Sequence, residues 1–289
     1  MRRVLITGAG GFIGQRLACS LSQAGYRVAG TFHTAPKGLE HVHGLTGLYR
    51  MSLDDQPPCI DWSGFDVIVH LAFALRQGRS DTNYHGTLRL MEAARRGGVP
   101  RQIFVSSYSA RPDAVSEYGQ VKYRLERYCL EAGYEILRPG LVLGNGGIVA
   151  RITRALQVLP VIPLPSGGAG EIPFISIGVL CDAMLQILEH PGNQEHNLFS
   201  RHFTSLKFLV QTIRKVVRGK RRAIILPIPA VVMLRGLQMV DILRLPLPVT
   251  ADNLQGFLRN QTRLHASTLD ALGIKSETLL EAVEAAHLH

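Results

Sequence analysis

The sequence predicts an α/β fold, a doubly wound parallel sheet with a smaller, partly helical C-terminal domain. Three observations carry that reading. Through the first half, short apolar runs alternate with stretches of helical spacing. The first apolar run is followed at once by a glycine cluster at a strand-to-helix turn. After about Gly144 the alternation gives way to Pro/Gly-rich chain and then to helical patterns. Strands that alternate with helices pair in parallel through right-handed crossovers.

The elements follow in order. Val4 to Thr7 is apolar throughout and closed by glycine, as for a strand buried on both faces. Phe12 to Ala24 carries Ile13, Leu17 and Leu21 at helical spacing and stops at Gly25. Arg27 to Phe32 reads as the second strand and Asp66 to Ala72 as the next. Thr87 to Arg96 reads as a helix, Gln102 to Ser106 as a strand, Tyr118 to Ala132 as a helix ending at Gly133, and Glu135 to Arg138 as a strand. Pro160, Pro163, Pro165 and the cluster Ser166 to Gly170 read as a loop. Ile172 to Ile177 returns as a strand, and Val179 to Leu188, Leu206 to Val217, Val231 to Leu243 and Thr278 to Ala286 as helices.

Composition bounds the function. The chain has 289 residues, enough for about two domains at ~150 residues each. At 46% hydrophobic and 19% charged it suits a packed globular protein and excludes a disordered one. Lys and Arg number 32 against 22 Asp and Glu, a surplus of +10 that attracts anionic partners. Cys19, Cys59, Cys129 and Cys181 form no CxxC pair, so neither a disulfide framework nor a zinc site is expected, and a reducing, cytoplasmic setting is. The apolar start after Arg2 and Arg3 breaks at Thr7-Gly8, unlike a signal peptide. No run reaches the ~18 apolar residues of a spanning helix. His41 and His43 form an H-x-H pair with no third ligand, so no metal is expected.

Three motifs carry chemistry. In Thr7-Gly8-Ala9-Gly10-Gly11-Phe12-Ile13-Gly14, glycines sit where a strand turns into a helix. They allow the tight turn and a close backbone approach, and the helix N-terminus offers free N–H groups and a positive dipole end to a phosphate. Tyr118 and Lys122 lie four apart and share one helix face, where an ammonium favours the phenolate. Such a tyrosine takes a proton from an alcohol or gives one to a ketone. Val105-Ser106-Ser107 ends the preceding strand, where an open α/β sheet places its ligands. Asn83, in Asn83-Tyr84-His85-Gly86-Thr87, opens a helix and reads by itself as its cap. His70 ends a buried strand and reads as structural.

Taken together these residues resemble the extended short-chain dehydrogenase/reductases, the NAD(P)-dependent epimerase/dehydratase family. The glycine motif, Val69-His70-Leu71-Ala72, Asn83 to Thr87, Val105-Ser106-Ser107, Tyr118 to Lys122 and Leu137-Arg138-Pro139-Gly140 stand in that family's order over the first ~145 residues. The resemblance implies a Rossmann fold. It implies Tyr118 as acid/base, Lys122 lowering its pKa and holding the nicotinamide ribose, Ser107 orienting the reacting oxygen, and Asn83 steadying the site. It also implies that Gly8, Gly11, Phe12, Ile13 and Gly14 meet the pyrophosphate. Leu71 and Ala72 would flank the cofactor, and Arg138 to Val142, with Pro139 and Leu141, would line the nicotinamide. By position, residues 1–143 with about 172–190 would bind NAD(P), and about 144–171 with 191–289 the substrate.

Cofactor choice is read after the second strand, where NAD enzymes place an acid for the ribose hydroxyls. Here Gly30-Thr31-Phe32-His33-Thr34 has none and Lys37 follows, so NADP is preferred over NAD, with His33 and Lys37 as contacts. Ser52 stands where relatives often carry an adenine-contacting Asp. Relatives acting on sugar nucleotides often carry Val-Tyr-Gly after the serines and an Arg near Ile172; this chain has Tyr108-Ser109-Ala110 and Ile172.

The expected function is hydride transfer between nicotinamide and an alcohol or ketone carbon of a small molecule, phosphorylated or nucleotide-linked substrates included. A nucleotide-sugar epimerase or dehydrogenase, and a non-catalytic NAD(P)-binding sensor or assembly subunit, are the alternatives. Arg214, Lys215, Arg218, Lys220, Arg221 and Arg222 read as a solvated helix end and loop, with docking of a phosphorylated substrate or an anionic membrane as the alternative. No aromatics interleave them, so nucleic acid is not expected. The apolar stretch Ile224 to Val249 reads as core or lid packing over the substrate cleft, with rest on a membrane or entry of a lipid-like substrate as the less favoured alternative. A homodimer through the helices of Asn83 and Tyr118 is an arrangement the resemblance allows.

Overall fold

A computed structural model describes residues 2–33, 45–75, 78–219, 224–242, 250–259 and 265–288. Lys37, His41, His43, Lys220, Arg221, Arg222 and positions 243–249 lie outside the described residues.

The apolar runs form a seven-stranded sheet. Its strands are β1 (Arg3–Thr7), β2 (Arg27–Phe32), β3 (Leu45–Arg50), β4 (Val67–His70), β5 (Arg101–Val105), β6 (Glu135–Pro139) and β11 (Glu195–Leu198), in the order β11-β6-β5-β4-β1-β2-β3. Strands β1 to β6 pair in parallel. Chain order reverses between β1 and β4, the switch point at which open α/β sheets hold ligands beyond the strand ends. All four residues of β4 are buried, which explains its uninterrupted apolar run.

The helices linking these strands are α1 (Phe12–Gln23), α2 (Ser80–Arg96), α3 (Glu117–Ala132) and α5 (Ile177–Glu189). Helix α1 follows its apolar spacing, burying Gly14, Leu17, Ala18 and Leu21. Helix α2 begins at Ser80, not Thr87. Its polar first turn has no apolar period to reveal it, and Asp81 there suits the positive end of the helix.

Later in the chain come β7 (Leu141–Leu143), α4 (Gly147–Val158), β8 (Val161–Pro165), β9 (Glu171–Ile172), β10 (Phe174–Ser176), β12 (Thr204–Ser205), α6 (Leu206–Arg218), β13 (Ile224–Ile228), α7 (Ala230–Ile242), α8 (Ala251–Arg259) and α9 (Leu279–Leu288). The proline-rich stretch is not wholly a loop. Its first part is β8, paired in parallel with β13 in a two-stranded ribbon. A ribbon has two edges, and an edge strand tolerates residues that lack an N–H. The expected strand Ile172 to Ile177 is two short strands broken at Pro173.

The chain divides into two compact units. The first comprises residues 1–112, 120–138 and 181–196, the second 113–119, 139–180 and 197–289. In the first, Met91, Phe104, Val121, Leu125, Cys129 and Ile136 form one core cluster, and Leu5, Ala29, Phe65, Ile68, Ala94 and Val99 another. In the second, α4, α6 and α9 pack around Phe174, Leu156, Leu209, Ile213 and Val283.

Arg214 is not part of a solvated cluster. It is buried, and its guanidinium donates to the carbonyls of Leu156 and Leu159, closing the C-terminal end of α4.

Candidate active site

At the switch point, β1 delivers Thr7 and Gly8. Gly8 has φ of +73°, and a Cβ there would lie 2.8 Å from Ala72 Cα, so glycine is required both by the turn and by the close approach of the chain after β4. Thr7 Oγ1 holds that chain, accepting from the N–H groups of Leu71 and Ala72 at 3.2 Å each. A Cβ on Gly14 would lie 2.4 Å from the Gly8 carbonyl oxygen, so the helix can seat on the turn because the side chain is missing.

Gly11 caps α1 without any side-chain hydrogen bond to the helix end. The first-turn N–H groups, at Phe12 and Ile13, stand at a half-buried helix terminus without a side-chain cap from Gly11. That cradle of backbone donors and small residues fits the pyrophosphate of a dinucleotide.

The carboxyl edge of the same sheet carries the other candidates of the first unit. Ser107 follows β5. Its Oγ accepts from Ser109 N–H at 3.1 Å, which leaves the hydroxyl hydrogen to donate to an oxygen. Lys122 is buried. Its ammonium donates to the Val105 carbonyl at 2.7 Å and lies 4.6 Å from the ring centroids of both Phe73 and Phe104. Burial pulls its pKa down to about 7, against the upward pull of Glu126 and Cys129.

A stability test follows from Lys122. Between about 7 and its ordinary 10.5, the unfolded chain holds a proton that the folded chain does not. Stability therefore rises with pH across that window. Melting temperature should climb from pH 7 towards 10 in the wild type more steeply than in Lys122→Met. Equal slopes would remove the buried amine from the account.

Asn83 does not open α2 or cap it. It sits in the helix's first turn, buried, and pairs with both backbone groups of one residue. Its Oδ1 accepts from Ala74 N–H at 2.7 Å and its Nδ2 donates to Ala74 O at 2.9 Å. It thereby fixes the chain that leaves Leu71, Ala72 and Phe73. His70 is buried, with Nε2 at 2.9 Å from Gln102 Oε1, and desolvation lowers its pKa to about 4.

In the second unit, Tyr118 is half-buried in the first turn of α3, four residues before Lys122. Pro139 is buried at the end of β6, and half-buried Leu141 opens β7, donating to Pro173 O at 2.7 Å. Arg138, the last residue of its segment in the first unit, is buried. It forms a bidentate pair with Glu126 at 2.9 and 2.8 Å and meets Glu195 at 2.6 Å. Burial pushes the Glu126 carboxyl up while the guanidinium beside it pulls it down. Sequence reasoning missed Glu126, although Tyr118, Lys122 and Glu126 recur at four-residue spacing.

It also missed Arg50. This residue ends β3 opposite Phe32 of β2, and with His33, Met51, Ser52 and Asp55 it lines a cavity of about 340 Å³ at the carboxyl edge. The strand had no readable period, so its end was not located.

A family model described as "NAD dependent epimerase/dehydratase family" matches residues 4–200. The chain belongs to this family. It is an extended short-chain dehydrogenase/reductase with the Rossmann-type sheet of that family. Among curated relatives, a UDP-glucose 4-epimerase of Mus musculus is 31% identical over 131 residues, covering 37% of this chain and 38% of the relative. A ceramide reductase of Caulobacter vibrioides (strain NA1000 / CB15N) is 32% identical over 177 residues, covering 55% and 53%. The chain thus spans about a third to a half of the length of the curated relatives it matches. The solved UDP-glucuronic acid 4-epimerase of Bacillus cereus, in complex with UDP-glucuronic acid and NAD, has a TM-score of 0.74 at 20% identity, covering 99% of this chain and 98% of that one. That likeness concerns the fold.

Proposed function

We propose that this chain is an NAD(P)-dependent oxidoreductase or epimerase acting on a carbon that bears an alcohol or ketone, with Tyr118 as acid/base. One observation carries the reading. Lys122 is buried and tied to the last residue of β5, so α3 is held in fixed register against the strand end that leads to Ser107. A solvated helical pair would have no reason to bury its amine. In this reading Tyr118 Oη moves the proton, Ser107 donates to the reacting oxygen, Lys122 supplies a nearby positive charge in its protonated form, and Asn83 positions the chain after β4. The glycine turn with Phe12 and Ile13 holds the pyrophosphate, and Leu71, Ala72, Pro139 and Leu141 flank the cofactor. When bound, nicotinamide supplies or accepts the hydride. Residues 1–143 with about 172–190 bind the cofactor and about 144–171 with 191–289 select the substrate, in a reducing compartment that suits four free thiols, the cytoplasm.

NADP is the preferred cofactor. No acid ends β2, and Arg50 and His33 bring donors to the cavity there, which Asp55 also lines. A 2′-phosphate is drawn to such donors. Thermal shifts should therefore be larger with NADPH than with NADH, and Arg50→Ala should narrow the gap. A larger shift with NADH refutes the NADP preference, and no shift with either refutes the dinucleotide site.

Reduction is supported by the relative named as a ceramide reductase and epimerisation by the one named as a UDP-glucose 4-epimerase. Against a nucleotide sugar stands Ile172, buried in β9 where sugar-nucleotide relatives often place an arginine. A carbonyl panel that includes sugar nucleotides separates the two. A reductase consumes NADPH in step with product, and an epimerase forms product with no net change in cofactor.

A further inference from the structure

The second unit turns apolar side chains outward along consecutive elements. Helix α4 ends on Val158, 75% exposed, followed by exposed Leu159. Strand β8 then starts with Val161, paired with Ile224 of β13, and two residues on Pro163 pairs with Leu226. These four side chains are exposed while Ile162 and Leu164, of opposite parity, are buried beneath them. Pro229 alone separates β13 from α7, where Val231, Val232 and Met239 are each at least 60% exposed. The opposite side of α7 packs Leu237 on Ala251 and Leu254. Within the described part of the stretch expected to serve as core or lid, Ile224, Leu226, Val231, Val232 and Met239 thus face water while Leu237 is buried. Scattered apolar residues on a surface are ordinary, but a run through a helix end, a ribbon face and a second helix marks an interaction surface.

The charge pattern names the partner. From His196 to Val240 the sequence holds nine Lys and Arg and no Asp or Glu, against a surplus of +10 for the whole chain. Lys215 and Arg218 are exposed in the last turn of α6, and Arg214 between these elements anchors that turn to the carbonyls of Leu156 and Leu159, beside the apolar end of α4. Arg154 is exposed one turn before Val158, and Arg235 shares the exposed face of α7 with Val231 and Met239. A second copy would set these cations against their like. Between Leu209 and Val240 no aromatic is present to stack on bases. Apolar side chains framed by cations match the acyl boundary and phosphates of an anionic bilayer.

We propose that this face of the second unit, formed by Val158, Val161, Ile224, Leu226 and the outer side of α7, docks peripherally on an anionic lipid bilayer. It lies on the surface only: among the described residues no helix is long and apolar enough to cross a membrane. The proposal stands apart from the enzymatic reading, because its readout needs neither cofactor nor turnover.

The test is flotation of the full chain with phosphatidylcholine vesicles, with and without phosphatidylglycerol. Binding is expected on the anionic vesicles, weakening with salt. Lys215→Gln with Arg218→Gln should weaken it by roughly fivefold per cation. Val231→Ser, Val232→Ser and Met239→Ser together should weaken it further at every salt concentration, with an unchanged melting temperature because all three are exposed. Absence of binding, equal binding to neutral vesicles, or a serine variant that binds like the wild type would each overturn the proposal. So would a wild-type dimer that the serine substitutions split while the wild type ignores vesicles.

Discussion

Tyr118→Phe is expected to reduce turnover by roughly a hundred- to ten-thousandfold, the range for loss of a positioned acid or base. That corresponds to about 3 to 5 kcal/mol of transition-state stabilisation. The substitution removes one oxygen and keeps the ring, so a half-buried first-turn position loses no packing. The cradle at Gly8, Gly11 and α1 lies on other elements, so the thermal shift with NADPH should match that of the wild type. A fall in kcat with little change in KM would indicate a proton moved in the transition state rather than a binding contact. Ser107→Ala should also lower kcat, because its hydroxyl hydrogen is left to donate by the Ser109 N–H bond. A Tyr118→Phe variant that turns over carbonyl substrates at the wild-type rate would sink the acid/base assignment. Wild-type protein that binds NADPH and reduces nothing on the panel would favour the sensor instead.

What the sequence made legible depended on where each residue finds its partners. The glycine turn is a local event: strand, turn and helix adjoin in sequence, and the reasons for Gly8 and Gly14 lie within a few residues and one neighbouring strand. Helices α1 and α6 kept nearly their expected bounds because their apolar spacing is set by a single buried face. Strand β3, at the sheet edge, alternates half-buried and exposed residues, and β11 reads Glu195-His196-Asn197-Leu198; neither offers an apolar run. Strand β8 is masked in the sequence by prolines that an edge strand accommodates. Side-chain fates were the least legible. Arg138 and Arg214 looked like a ligand-lining and a surface cation, and both are buried, because their acceptors come from Glu126, Glu195 and the end of α4. Such partners lie far off in sequence and leave no local periodicity. Asn83 looked like a cap because its true partner, Ala74, belongs to the chain beyond β4. Arg50 could be recognised only once β3 had been placed.

The largest effect on stability is expected from Glu126→Ala. Glu126 and Arg138 are both buried, with side chains 3% and 6% exposed, and the pair is bidentate. Removing the carboxylate takes the bidentate partner from a buried guanidinium, and the ion pair to Glu195 that remains involves a side chain that is 45% exposed. Losing one partner of a buried pair costs about 3 to 5 kcal/mol, because the other charge stays desolvated. In a chain of this size that lowers the melting temperature by roughly 10 °C. The pair's net worth is a separate quantity, so Glu126→Leu with Arg138→Met should recover much of the loss. Recovery in the double variant, against a deficit in each single one, would show that the desolvated charge and not the missing contact is responsible. Function should follow in part: Glu126 lies one turn beyond Lys122, and loosening α3 there relaxes the tie to Val105. A Glu126→Ala variant within about 1 kcal/mol of the wild type would mean that the pair is solvated in solution and does not hold α3 against the sheet.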